Sequence, residues 1–152
     1  MSLILYCLNG PNLNLLGERE PEIYGTDTLK DLETISTDAA KALGESVVFR
    51  QTNHEGELVD WIQEARTKAD ALIINAAAYT HTSIALHDAL KTLTIPIIEL
   101  HLSNPSSRED FRDKSYIAPC ANGVIAGFGS AGYRLSVEAA VSLVQKRSKK
   151  NG

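Results

Sequence analysis

Ala71-Leu72-Ile73-Ile74-Asn75 is an apolar run that follows the polar Lys68-Ala69-Asp70 and closes on an amide. A half-exposed strand alternates apolar with polar residues, whereas this one is apolar at successive positions, as expected of a parallel strand covered on both faces. Four comparable runs lie around it: Leu3 to Leu8, Val47 to Arg50, Ile95 to Leu100 and Val124 to Ala126. Helical patterns separate them. The first has Asp27 as expected N-cap, repeats apolar residues at Leu29, Leu32, Ile35, Ala39 and Leu43, and ends at Gly44. A second carries Leu58, Ile62 and Ala65. A third begins near Thr82 or Ser83 and buries Leu86, Leu90 and Leu93, and a last one carries Tyr133, Val137, Ala140 and Val144. Strands alternating with helices predict one α/β domain over residues 1–152, with a five-stranded parallel sheet in a flavodoxin-like three-layer sandwich. By analogy the strand order is 2-1-3-4-5, and ligands bind beyond the carboxyl ends of the strands.

Composition narrows the partners. The formal charge is -4, and basic residues cluster only in Lys146-Arg147 and Lys149-Lys150, which reads as a solvated, frayed helix end. Nucleic acid is therefore not an expected partner. No apolar stretch approaches the ~20 residues of a membrane span, and Met1-Ser2-Leu3 runs directly into a strand, so neither membrane nor signal peptide is expected. Cys7 sits inside an apolar run and Cys120 in a loop, neither in a metal or redox motif, which favours a reducing cytoplasm.

The expected strand ends are rich in amides, imidazoles and hydroxyls. They read Asn9-Gly10-Pro11-Asn12-Leu13-Asn14, Asn53-His54-Glu55-Gly56, Asn75 through His81, and Glu99-Leu100-His101-Leu102-Ser103-Asn104. Three of the four histidines, His54, His81 and His101, fall there, so loops at one sheet edge could bring them together. A phosphorylatable receiver needs acids where this chain has Asn9 and Asn75. His81 and His87 are six apart, on different faces of a helix, which does not suit metal ligation. Gly127-Phe128-Gly129-Ser130-Ala131-Gly132 matches a dinucleotide fingerprint, but the acid required about 20 residues later is missing, so these glycines are expected to serve close packing or anion approach instead. The polar, glycine-bracketed segment Gly17 to Gly25 reads as a mobile lid.

Taken together, Leu8-Asn9-Gly10-Pro11-Asn12-Leu13-Asn14, Arg19-Glu20-Pro21-Glu22-Ile23-Tyr24-Gly25, the Asn53 and Asn75 blocks, and Glu99-Leu100-His101-Leu102-Ser103-Asn104-Pro105 leading to Arg108, Phe111 and Arg112 resemble the type II dehydroquinases. The resemblance covers almost the whole chain in order. Leu16 departs from it, standing where many members carry a basic residue. It implies a cofactor-free and metal-free lyase that converts 3-dehydroquinate to 3-dehydroshikimate by anti elimination through an enolate, a step of both aromatic biosynthesis and quinate breakdown. By this resemblance Tyr24 is the base. That role demands a tyrosinate, because an ordinary phenol of pKa ~10 is only about 0.1% ionised at neutral pH, and Arg19, five residues away, is the implied activator. Asn12 is implied to hold a water against the enolate oxygen. His101 would protonate the leaving hydroxyl, and Glu99, two residues back on the same side of a strand, would orient its ring or raise its pKa. Asn75 and His81 are the implied ligands of substrate hydroxyls, while Leu102, Ser103 and Arg112 hold the carboxylate. The resemblance further implies a homododecamer of four trimers in which Asp88 reaches an adjacent subunit's site.

Overall fold

The computed structural model describes residues 2–151. Five strands, β1 (Ile4–Asn9), β2 (Ser46–Gln51), β3 (Ala71–Asn75), β4 (Ile97–His101) and β5 (Gly123–Ala126), form one sheet in the order β2-β1-β3-β4-β5. Every pairing is parallel. The helices are a single turn, α1 (Pro21–Tyr24), followed by α2 (Leu29–Ala42), α3 (Glu55–Lys68), α4 (Ile84–Leu90) and α5 (Ala131–Asn151). The expected α/β sandwich and its strand order are therefore both found.

Side chains alternate across each strand, so the sheet builds two cores. Leu5, Cys7, Ile73, Ile98 and Leu100 pack with Leu32 and Ala40 of α2 and Tyr133, Val137 and Ala140 of α5. Tyr6, Leu8, Leu72, Ile74 and Ile97 pack on the opposite face with Leu58, Ile62 and Ala65 of α3 and Leu86 and Leu90 of α4. Truncating a buried leucine of this kind, Leu72 for instance, costs about 2–5 kcal/mol. Leu16, the departure noted in the sequence, is buried in the first core.

Three local expectations need correction. Thr28 caps α2, not Asp27: its side chain accepts from the Asp31 amide while the Asp31 carboxylate accepts from the Thr28 amide. That reciprocal box needs an acid three residues after the cap, and Asp27 has Lys30 there. Leu93 lies past the end of α4, partly buried, and Leu43 is exposed. The basic end of α5 is not wholly solvated, because Arg147 donates to the Thr94 carbonyl at 2.6 Å. Among the described residues no helix is long and apolar enough to cross a membrane.

Registry places the site. Asn9 pairs with Asn75 across β1 and β3, so the two carboxyl ends stop level, and β4 brings His101 to the same edge beside Ala126. Gly10 then passes so close to β3 that an added Cβ would stand 2.5 Å from the Ala76 carbonyl oxygen. Its amide donates to the Asn75 carbonyl at 2.8 Å. Only glycine allows that approach, and it sets the following Asn12 beside the end of β3.

Candidate active site

A cleft at the carboxyl edge is lined by Asn12, Arg19, Tyr24, Asn75, His81, His101, Leu102, Ser103 and Arg112, together with Arg108. Of the residues expected on sequence grounds, these nine are brought together. Glu99 stands behind His101, and Asp88 lies exposed on α4, away from its own chain's cleft. His54 does not join the other histidines. It is exposed at the N-cap of α3, because β2 is the edge strand, two strands away from β3 at the centre of the sheet.

The floor of the cleft is held by buried polar contacts. Tyr133 of α5 donates its hydroxyl to Asn9 Oδ1 at 2.6 Å and accepts from Asn75 Nδ2 at 3.0 Å. Asn75 Oδ1 accepts from the Ala77 amide at 3.2 Å, and Ala77 itself adopts φ 52° as the chain turns out of β3. Burial pushes the Tyr133 hydroxyl well above the ordinary tyrosine range, so it serves as a neutral hydrogen-bonding hub. Burial likewise pushes the Cys7 thiol up to about 12, which makes it an inert part of the core.

On β4, Glu99 and His101 share a face with Ile97, and His101 Nε2 meets Glu99 Oε2 at 2.5 Å. Both side chains are buried. With Nε2 committed, Nδ1 is the ring nitrogen left for a reacting group. His81 stacks beside it, ring centroids 6.5 Å apart and planes 15° from parallel, and its Nδ1 is fixed on the Lys114 carbonyl at 2.8 Å.

The rim is built differently. The segment from Gly17 to Gly25 carries α1, entered through Glu20 at φ 41° and left through Gly25 at φ 81°, with no side-chain cap. It brings Tyr24 over the cleft with the Arg19 guanidinium 4.9 Å from its ring centroid. The guanidinium of Arg108 sits 5.2 Å from the same centroid and donates to Ser103 Oγ at 3.2 Å. Arg108 is a residue of the resemblance to which the sequence assigned no role, and the structure places it in the cleft. Its signal was its place four residues before Arg112, but nothing in the sequence shows that the chain folds it back onto Tyr24. Arg112 is half-buried at the cleft wall, with its Nε donating to Glu109 at 2.9 Å. Asn12 occupies the left-handed region at φ 69°, its amide donating to Asn53 Oδ1 at 3.0 Å.

The glycine-rich Gly127 to Gly132 turn shares a groove with Glu22 to Asp27, and Gly127 and Gly129 have positive φ. At Gly132 an added Cβ would meet Leu100 Cδ1 at 3.0 Å, so close packing of α5 on β4 accounts for that glycine.

Residues 3–141 match the family model described as dehydroquinase class II. The chain belongs to the class II dehydroquinases. It is similar to the 3-dehydroquinate dehydratase of Phenylobacterium zucineum, with 59% identity over 95% of this chain and 100% of that one. The 3-dehydroquinate dehydratase of a Caulobacter species is 62% identical over 92% of this chain and 95% of its own length. The crystal structure of the type II dehydroquinase from Butyrivibrio crossotus superposes with a TM-score of 0.89 at 40% identity, covering 91% of this chain and 97% of that one. As a class II dehydroquinase, the chain carries its concentrated chemistry where an open α/β sheet places a ligand.

Proposed function

We propose that this class II dehydroquinase removes water from 3-dehydroquinate to give 3-dehydroshikimate by anti elimination through an enolate, within the shikimate pathway or quinate breakdown. The observation that carries the reading is a single cleft holding a tyrosine flanked by two guanidiniums and, across from it, an imidazole held by a buried carboxylate. The reaction takes a proton from C2, alpha to the ketone, and expels the C1 hydroxyl. A base, an oxyanion stabiliser and an acid suffice.

Tyr24 as phenolate takes the C2 proton. Arg19 and Arg108 supply positive charge beside it and beside the enolate that forms. Asn12 offers its amide, through a water, to the enolate oxygen. His101 delivers the proton that lets the C1 hydroxyl leave as water, and Glu99 keeps the ring turned. Asn75 and His81 bind hydroxyls, and Leu102, Ser103 and Arg112 hold the carboxylate, for which a guanidinium fork is well suited. Asp88, exposed on α4, acts on an adjacent subunit's site in a dodecamer of four trimers. The enzyme works in the cytoplasm as one domain without metal or cofactor.

Incubation with 3-dehydroquinate should raise the absorbance of a conjugated enone, borohydride added with substrate should leave activity intact, and chelators should do the same. A lysine adduct trapped by borohydride would replace the enolate route with an imine. Active sites recovered when Asp88→Ala and His101→Ala subunits are co-assembled would support Asp88 acting in trans, whereas a fully active monomer would exclude it.

A further inference from the structure

We infer that Ser115 is a positioning residue for the acid end of the cleft, a role that rests on the elimination proposed above. The Ser115 hydroxyl donates to Glu99 Oε2 at 3.0 Å, the same oxygen that holds His101 Nε2 at 2.5 Å. The direction of that bond is fixed by the rest of the serine's surroundings. Its oxygen accepts from the Ile117 amide at 3.1 Å and from the Ala118 amide at 3.0 Å, which leaves its one proton for the carboxylate.

Glu99 has few other restraints. Its second oxygen, Oε1, is buried and meets no hydrogen-bond partner among the described residues, and the same is true of Thr80 Oγ1. Thr80, Glu99 and Ser115 all line a cleft on the side of His101 away from Tyr24. A buried carboxylate with both donors on one oxygen is oriented by the fork that His101 and Ser115 make. Without the serine, one hydrogen bond remains and the carboxylate is free to turn about its Cγ–Cδ bond, carrying the imidazole with it.

The neighbouring backbone strengthens the assignment. The Lys114 carbonyl holds His81 Nδ1 at 2.8 Å, and the Tyr116 amide donates to the Thr80 carbonyl at 2.9 Å. One stretch of three residues thus fixes both stacked imidazoles of the cleft, His81 directly and His101 through Glu99. The same loop carries Arg112 three residues earlier, so the carboxylate anchor and the clamp on the acid move together.

Ser115 also holds the turn that leads into the 3-10 helix Ala118–Cys120 by accepting from the Ile117 and Ala118 amides, and the test must separate that role from positioning. In Ser115→Ala, kcat should fall on the order of tenfold with KM within about twofold, because a displaced catalytic group costs rate more than binding. Ser115→Thr keeps the hydroxyl and should restore kcat. Independently of activity, the imidazole nitrogen signals of His101 in the free enzyme should shift in Ser115→Ala and return in Ser115→Thr. Loss of the turn contacts alone would lower Tm in Ser115→Ala while kcat and the His101 signals stayed wild type, and that result overturns the inference. If Ser115→Ala does not fold, Ser115→Cys, similar in shape with a far weaker hydrogen-bonding group, should show the same kcat loss, and wild-type kcat there overturns the inference equally. A wild-type enzyme that forms no enone would instead refute the elimination, leaving the His101 signals to decide the positioning on their own.

Discussion

The floor and the rim of the cleft hold their side chains by opposite means. On the floor, Asn75, Glu99 and His101 are buried at strand ends, and each is tied by hydrogen bonds to another element or neighbour. On the rim, Arg19 precedes and Tyr24 ends one uncapped helical turn in a segment with positive φ at Gly17, Glu20 and Gly25, and the Tyr24 ring, partly buried against the edge of the first core, meets guanidiniums on its exposed side and no hydrogen-bond partner among the described residues. A floor built in this way is preorganised, so its groups need no rearrangement when charge develops. A rim without a core of its own suits the lid expected of Gly17 to Gly25, which would open for substrate and set its proposed catalytic groups only on closing. The difference predicts that floor substitutions register in stability as well as rate, and rim substitutions in rate alone.

The largest expected effect lies on the rim. Tyr24→Phe keeps the ring between the two guanidiniums and removes the proposed base, so kcat should drop by roughly 10⁴-fold, the upper end for acid–base catalysis, with KM little changed. Thermal unfolding should stay within a degree or two of wild type. Near wild-type turnover in this variant would remove Tyr24 from the mechanism. Next comes His101→Ala on the floor, with kcat down about 10²–10³-fold. Here stability should change too, because Glu99 is left buried with the hydroxyl of Ser115 as its remaining donor. Urea denaturation that shows no change in midpoint would mean the floor is less rigid than its contacts suggest.

The two regions also differ in how far the sequence disclosed them. The strands were legible because apolar runs leave a pattern: Leu72-Ile73-Ile74 and its four counterparts are strands, while their order, taken by analogy, is also the one found. Strand-end chemistry was legible for the same reason, since Asn75, Glu99 and His101 sit at known positions in strands. Thr28 was missed in favour of Asp27 because both are good caps, and only the partner three residues on decides between them. The roles of Arg108 and Ser115 were missed because each acts through a loop that folds back, Arg108 to Tyr24 and Ser115 to Glu99, and no periodicity records where an irregular loop returns. Tyr133 was read correctly as a core residue, yet its hydroxyl links β1 to β3 beneath the site, a contact 124 residues away in sequence from Asn9.

That hydroxyl gives the third prediction. Tyr133→Phe preserves the packing of the first core but leaves Asn9 Oδ1 and Asn75 Nδ2 without their shared partner in a buried setting. The cost should be about 1–3 kcal/mol in unfolding free energy. If Asn75 binds substrate, a modest rise in KM should accompany it, while kcat changes less than in His101→Ala. An unchanged unfolding midpoint would mean that water replaces the hydroxyl at no cost.

The smallest effect tests the rim's backbone. Gly25 ends α1 at φ 81° and ψ -174°, a region essentially closed to residues with a Cβ. An added Cβ there would meet no atom within 4 Å, so Gly25→Ala probes conformation without steric conflict. If the turn that presents Tyr24 requires this conformation, alanine should disfavour the presented state by about 1 kcal/mol, the low end for such strain. That corresponds to roughly a fivefold loss in kcat/KM. Because the segment has no buried core of its own, the strain can be relieved by local opening, and Tm should not move. A fall in Tm without loss of kcat/KM would reverse the assignment, making the turn part of the folded framework and placing the opening elsewhere on the rim.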